Sequence, residues 1–225
     1  MRDRALLRLL QVSDSAFPTG SFSHSMGLEA FAEAGELKDA EDLGRIVKLY
    51  LSTLATSDCA ALRASYGAEV DALIHIDRLL SATKLTRELR AASASTGRRF
   101  LISVAALGIE DEALAAFTDS AHSGSTPGNL AVGYGVAAPA LGIGMDEALH
   151  AYLYASVASL VVAGQKTIPL GGSAAQRTLF ELHGEMENAA SESETVGIEE
   201  MHAFAPEIDV RSMYHERQRT RLYIS

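Results

Sequence analysis

The chain has 225 residues, 48% hydrophobic and 21% charged, a balance that suits one globular domain with a sizeable core and excludes global disorder. Its 29 acidic residues outnumber 19 basic ones, and the formal charge of −10 argues against a nucleic-acid partner. Tryptophan is absent and aromatics make up only 6%, so Ala and Leu dominate, as in closely packed helices. The lone cysteine, Cys59, excludes an intramolecular disulfide and fits a reducing compartment.

Residues 1–12 open with a short helix or arm whose apolar run, Ala5 to Leu10, is broken by Arg8 and is no signal peptide. Residues 13–29 then read SDSAFPTGSFSHSMGLE. Pro18 fixes its own φ and pushes Phe17 toward an extended backbone, while Gly20 permits a turn. Thr19, Ser21, Ser23 and Ser25 lead into Leu28, Ala30, Phe31 and Ala34 at helical spacing, predicting a helix over 25–34 that stops at Gly35. The plain alternative is a capped turn, with Ser23 or Ser25 as cap and Phe17 and Phe22 in the core.

Asp39 is placed to cap the next helix, in which Leu43, Ile46, Val47, Tyr50, Leu51 and Leu54 keep an unbroken helical stripe. Helices follow over 58–66, with Gly67 as a break, and over 70–80. Residues 84–107 predict a long helix with Leu85, Leu89, Ala92, Thr96, Phe100, Val104 and Leu107 inward, and with Gly97 inside it. A shorter helix covers 111–121, and the loop 123–129 reads SGSTPGN. Leu130 to Leu141 are apolar almost all round, with small residues on one face, which predicts a central buried helix. The next helix covers 146 to about 162, and its most apolar part, Ala151 to Ala163, falls short of the roughly 20 residues of a membrane span. Ser173 and Gln176 match a capping box, with Leu179, Leu182, Met186 and Ala190 inward. Residues 190–225 are acidic and polar and read as a partly flexible end. The expectation is a single all-α domain over 1–225, soluble and cytoplasmic, a helical bundle with a signature loop and a short C-terminal tail.

Chemistry is sparse. None of the seven histidines (His24, His75, His122, His150, His183, His202, His215) pairs with another at metal-ligand spacing. His150 and His183, on helices rich in apolar residues, read as structural. Ser23 and His24 are chain neighbours, a poor arrangement for a nucleophile and its base, and Cys59 has no evident activator. An uncharacterised helical hydrolase using Ser23, His24 or Cys59 is the competing class. Phe17, Phe22, Tyr214, Tyr223, Arg211 and Arg221 are instead residue types that dominate protein interfaces.

Three segments carry a family resemblance. Leu10 to Glu29 resembles the N-terminal signature of the urease accessory protein UreF family: a Pro-x-Gly turn, hydroxyl residues, an aromatic and Gly-Leu-Glu. Gln165 to Gly171 is similar to its Val/Ile-Pro-Leu segment. Met213-Tyr214-His215-Glu216, then Thr220 to Ser225, resembles its His-Glu and Ser/Thr-Arg-Leu-aromatic ending. Leu130 and Gly171-Gly172 depart from residues common in the family at those places. The resemblance implies an all-α, homodimeric, cytoplasmic, non-enzymatic chaperone of urease maturation. It implies bridging of a UreD-type protein (UreH in some organisms) and the GTPase UreG, with nickel reaching apo-urease through the complex. Nickel and GTP would belong to the partners, with no cofactor, metal or catalytic residue in this chain. Phe17, Pro18, Thr19, Gly20, Ser21, Phe22, Ser23 and His24 would face the GTPase. Arg211, Tyr214, His215, Glu216, Arg221 and Tyr223, a basic and aromatic tail on an acidic chain, would order against the UreD-type partner.

Overall fold

One short helix, α8 (Leu130–Ala140), lies buried among the helices that pack on it. The structure, a computed structural model, describes residues 2–218 and 221–224, apart from the side chains of Arg2, Asp3 and Phe22. In chain order come α1 (Arg2–Ser13), α2 (Leu28–Glu33), α3 (Ala40–Leu54), α4 (Ala60–Ser65), α5 (Val70–Thr83), α6 (Arg87–Ala105), α7 (Glu112–His122) and α8. Then follow α9 (Met145–Thr167), α10 (Gly172–Glu181), α11 (His183–Glu192) and α12 (Pro206–His215). No strand occurs among the described residues, so the chain is an all-α bundle.

α8 packs on α4, α6 and α9, and every residue from Ala131 to Ala138 is buried, as its small apolar composition predicts. Gly97 explains how α6 comes so close. A Cβ there would lie about 2.5 Å from the Leu130 backbone N and against the Gly128 carbonyl, so only glycine lets α6 lie against the entry to α8. That entry is itself anchored. Buried Asp77 accepts from Thr126 Oγ1 (2.6 Å), the Gly128 and Asn129 amides (both 2.7 Å) and Asn129 Nδ2 (2.8 Å). The Thr-Pro-Gly-Asn end of the loop is therefore clamped from inside.

α3 forms as its stripe predicts: Leu43, Ile46, Val47, Tyr50 and Leu51 are buried, and Asp39 Oδ1 caps it by accepting from the Glu41 and Asp42 amides at 3.0 Å. It does not end before α4. A π-turn, Ala55–Cys59, carries the rod straight on, so the helix expected from residue 58 is the far end of α3. α5 and α7 appear where expected, and Gly67 breaks the chain with φ 70°.

Several expectations need correction. The helix at 25–34 starts only at Leu28, because Met26 and Gly27 take left-handed φ values of 53° and 87°. α6 starts after its Thr86 cap and ends at Ala105, so Leu85 and Leu107 fall outside it and are exposed. Ser173 is not a cap: Gly171 holds that position, and α10 starts at Gly172, two residues earlier than a Ser173 cap would start it. α9 runs 23 residues, long enough to cross a membrane by length and composition, but half of its most apolar window is buried inside the protein. His150 and His183 face solvent rather than the core. The polar stretch after Ser191 holds two 3-10 turns and then α12, started by Pro206 at its first position.

Candidate functional site

The signature loop is built from bonds between near neighbours. Asp14 accepts the amides of Ala16 at its side chain (2.7 Å) and of Phe17 at its carbonyl (2.9 Å). The Thr19 amide turns back over Pro18 to the Phe17 carbonyl at 2.7 Å. Gly20, at φ 75°, bends the chain into a 3-10 turn, Ser21–Ser23, whose Ser23 amide and hydroxyl both donate to the Gly20 carbonyl, at 3.1 and 2.7 Å. A Cβ on Gly20 would be strained by that φ and would strike the Arg99 guanidinium. Phe17 is half-buried and meets Phe100 edge-on, with ring centroids 5.8 Å apart. Pro18 is exposed and Thr19, Ser21 and Ser23 half so; His24 is buried, and burial, aided by the Arg99 charge, holds its imidazole below the ordinary histidine range. Phe22's side chain lies outside the described part.

The tail is seated on the loop and on α2 and α6. Sequence reasoning has it order against a partner's acidic groups; in the structure the acidic groups are the chain's own. Glu29 Oε1 accepts the Leu222 amide and Oε2 the Tyr223 amide, both at 2.9 Å, and Oε2 also meets His215 Nε2 at 3.0 Å. Glu88 Oε2 meets His215 Nδ1 at 2.8 Å, and Oε1 accepts from Arg221 at 2.9 Å. The Ile224 amide donates to the Ser23 carbonyl at 2.9 Å, tying tail to signature loop. Gly27 lies against the backbone of Ser212, and Thr86 and Ser212 share a buried hydroxyl pair at 2.9 Å.

Of the expected tail residues, His215 and Tyr223 are therefore buried, and burial beside Glu29 pushes the Tyr223 phenol up. Arg211 pairs with Glu36 and stacks its guanidinium near Phe31 and Tyr214; Glu216 pairs with Arg87. Tyr214, Met213, Leu222 and Ile224 remain exposed, an apolar surface beside the loop. Arg219, Thr220 and Ser225 lie outside the described residues. Sequence reasoning missed Glu29 and Glu88 as anchors. Glu29 stands in the quoted Gly-Leu-Glu, but Glu88 looks like any acid in a first helical turn.

A cavity of about 480 Å³ has Ser21 and His24 in its wall together with Asp58, Lys84 and Tyr223. The π-turn aims Asp58 at Lys84 Nζ (2.5 Å), and Tyr152 donates to its other oxygen at 3.0 Å. This pair is internally neutral, both side chains being nearly buried. Neither Ser23 nor Cys59 is set up as a nucleophile: Ser23 Oγ is committed to a backbone carbonyl, and burial, then the charge of Asp58, pushes the Cys59 thiol far up. Among the described residues no group of three His, Cys, Asp or Glu side chains is disposed to hold a metal ion.

The UreF family profile matches residues 37–183, between the signature loop and the tail. Pairwise similarity covers both as well. The urease accessory protein UreF of Paenarthrobacter aurescens (strain TC1) is 36% identical over 221 residues, 97% of each chain. That of Arthrobacter sp. (strain FB24) is 34% identical over 97% of this chain and 96% of its own. That of Kocuria rhizophila is 32% identical over 98% and 97%. With the Gly-Leu-Glu loop, the Val/Ile-Pro-Leu segment and the Arg-Leu-aromatic end in one all-α bundle, the chain belongs to the UreF family of urease accessory proteins, which are not themselves catalysts.

Proposed function

We propose that this chain is a non-enzymatic scaffold of urease maturation, cytoplasmic and homodimeric, which bridges a UreD/UreH-type protein and the UreG GTPase during nickel delivery to apo-urease. Nickel is cargo in this reading, and GTP stays with the GTPase. The observation that supports it best is the single surface made by the loop and the tail. The Ile224–Ser23 bond ties the end of the tail to the loop, so two partners on those segments would be neighbours. Exposed aromatic and aliphatic groups rimmed by Arg211 and Arg221 suit protein recognition. The test is co-purification from cells expressing the urease genes. A tagged chain should retain the UreD-type protein and the GTPase, and Arg221→Ala should retain less of both with unchanged circular dichroism. Recovery of neither partner by the unaltered chain overturns the reading. Light scattering at tens of micromolar should give a dimer.

A further inference from the structure

Buried polar side chains in a folded protein almost always have a partner, and those without one point to something that completes them. Among the described residues, Tyr50 Oη, Ser93 Oγ and Asp209 Oδ2 are buried and unpartnered, and all three residues line the one cavity of about 480 Å³. Tyr50, on α3, is 6% exposed and Asp209, on α12, 7%. They are close enough for the Asp209 charge, after burial, to push the Tyr50 phenol up, yet neither oxygen bonds to the other. Burial raises the Asp209 carboxyl in spite of a bond from the Ala205 amide. The lysines and arginines of α3, of α12 and of the cavity wall are paired with other acids: Arg45 with Glu207, Lys48 with Glu185, Arg211 with Glu36 and Lys84 with Asp58. Among the described residues Asp209 therefore has no ion-pair partner.

Water would complete the hydrogen bonds here but would leave a buried carboxylate without a counter-charge. A divalent metal ion needs several hard ligands, and among the described residues no three His, Cys, Asp or Glu side chains come together to hold one. A protonated amine brings one positive charge and N–H donors together, which a carboxylate and a phenol oxygen can both accept. Leu54, one turn after Tyr50, and Ile208, next to Asp209, line the same cavity and favour an apolar body behind such a head. The volume suits a small organic molecule. We propose that this cavity binds a primary amine with a small apolar body, its ammonium group held by Asp209 and Tyr50. The site goes beyond the scaffold reading and does not rest on it.

The experiment titrates the full chain with 2-phenylethylamine and with 2-phenylethanol, its uncharged isostere, in an amine-free buffer at neutral pH. The readout is the ring ¹³C signal of Tyr50, identified by its absence from Tyr50→Phe. The amine should shift that signal saturably below about 10 mM, within reach of so small a ligand. The alcohol should bind at least about tenfold more weakly, the weight of a charge-assisted hydrogen bond, and Asp209→Asn should weaken the amine by a similar factor. No saturation by the amine, equal binding of the alcohol, or undiminished binding to Asp209→Asn overturns the proposal. So does displacement of the amine by millimolar Mg²⁺, which would make the site one for metal ions. Should Asp209→Asn misfold, the comparison of amine with alcohol on the unaltered chain decides.

Discussion

The signature loop and the tail touch, yet they are made in opposite ways. Among the described residues, the backbone bonds inside the loop from Asp14 to His24 join residues two or three apart, and the shape follows from Pro18, Gly20 and short hydroxyl side chains. The tail's bonds to Glu29 and Glu88 span 127 to 194 residues and come from carboxylates on two separate helices. A local turn can be specified by residue type alone. A charged clasp exists only once the bundle has brought α2, α6 and α12 together, so it depends on the fold and supports it in return.

Mutations can break this contrast. The largest effect should come from Glu88→Ala, which strips a buried imidazole and Arg221 of one carboxylate together. We expect a loss of about 3 kcal/mol, the usual cost of opening a buried pair. Urea unfolding measures it, and a loss below about 1 kcal/mol would mean that the tail is held by packing rather than charge. Next is Gly20→Val, where a β-branched residue must take a left-handed backbone against Arg99. About 2 kcal/mol should be lost, with the helical signal intact and GTPase retention reduced. Unchanged stability and retention would make the loop a mere connector. Arg221→Ala should cost about 1 kcal/mol, since its guanidinium is partly solvated. Arg221→Lys should restore only part, lacking the planar fork; full restoration would show that charge alone suffices.

The smallest effect concerns His24. Its folded imidazole titrates below the ordinary 6.5 because of burial and then Arg99. As pH falls through that ordinary value the unfolded chain takes up a proton that the folded one resists. Stability from this group is therefore full above about 6.5 and declines below it. His24→Gln should flatten that decline in melts at about pH 7.5 and 5.5, and an unaltered slope would assign it to other groups.

The same contrast explains what was legible beforehand. α3 announces itself because a stripe of six apolar residues has one helical solution, and α8 because small residues leave no polar face. The loop's turn is visible in Pro-Thr-Gly. The π-turn, the late start of α2 and the Gly172 start of α10 depend on backbone choices that several sequences share. Arg211, His215, Arg221 and Tyr223 carry the right chemistry in the sequence, but nothing there says that Glu29, Glu36 and Glu88 answer them. Half of the tail's chemistry therefore turns inward, leaving Tyr214, Leu222 and Ile224 outside.

The π-turn between α3 and α4 has a consequence for the history of the chain. Such a turn is what a helix becomes when it absorbs one residue too many without re-phasing its ends. A chain one residue shorter between Ala55 and Cys59 would run as a regular rod with Leu51 and Leu62 still facing the core. What it would lack is the widened turn of backbone that delivers Asp58 to Lys84 and Tyr152. The surplus residue is thus a removable irregularity, and its persistence would record a use for that buried ion pair.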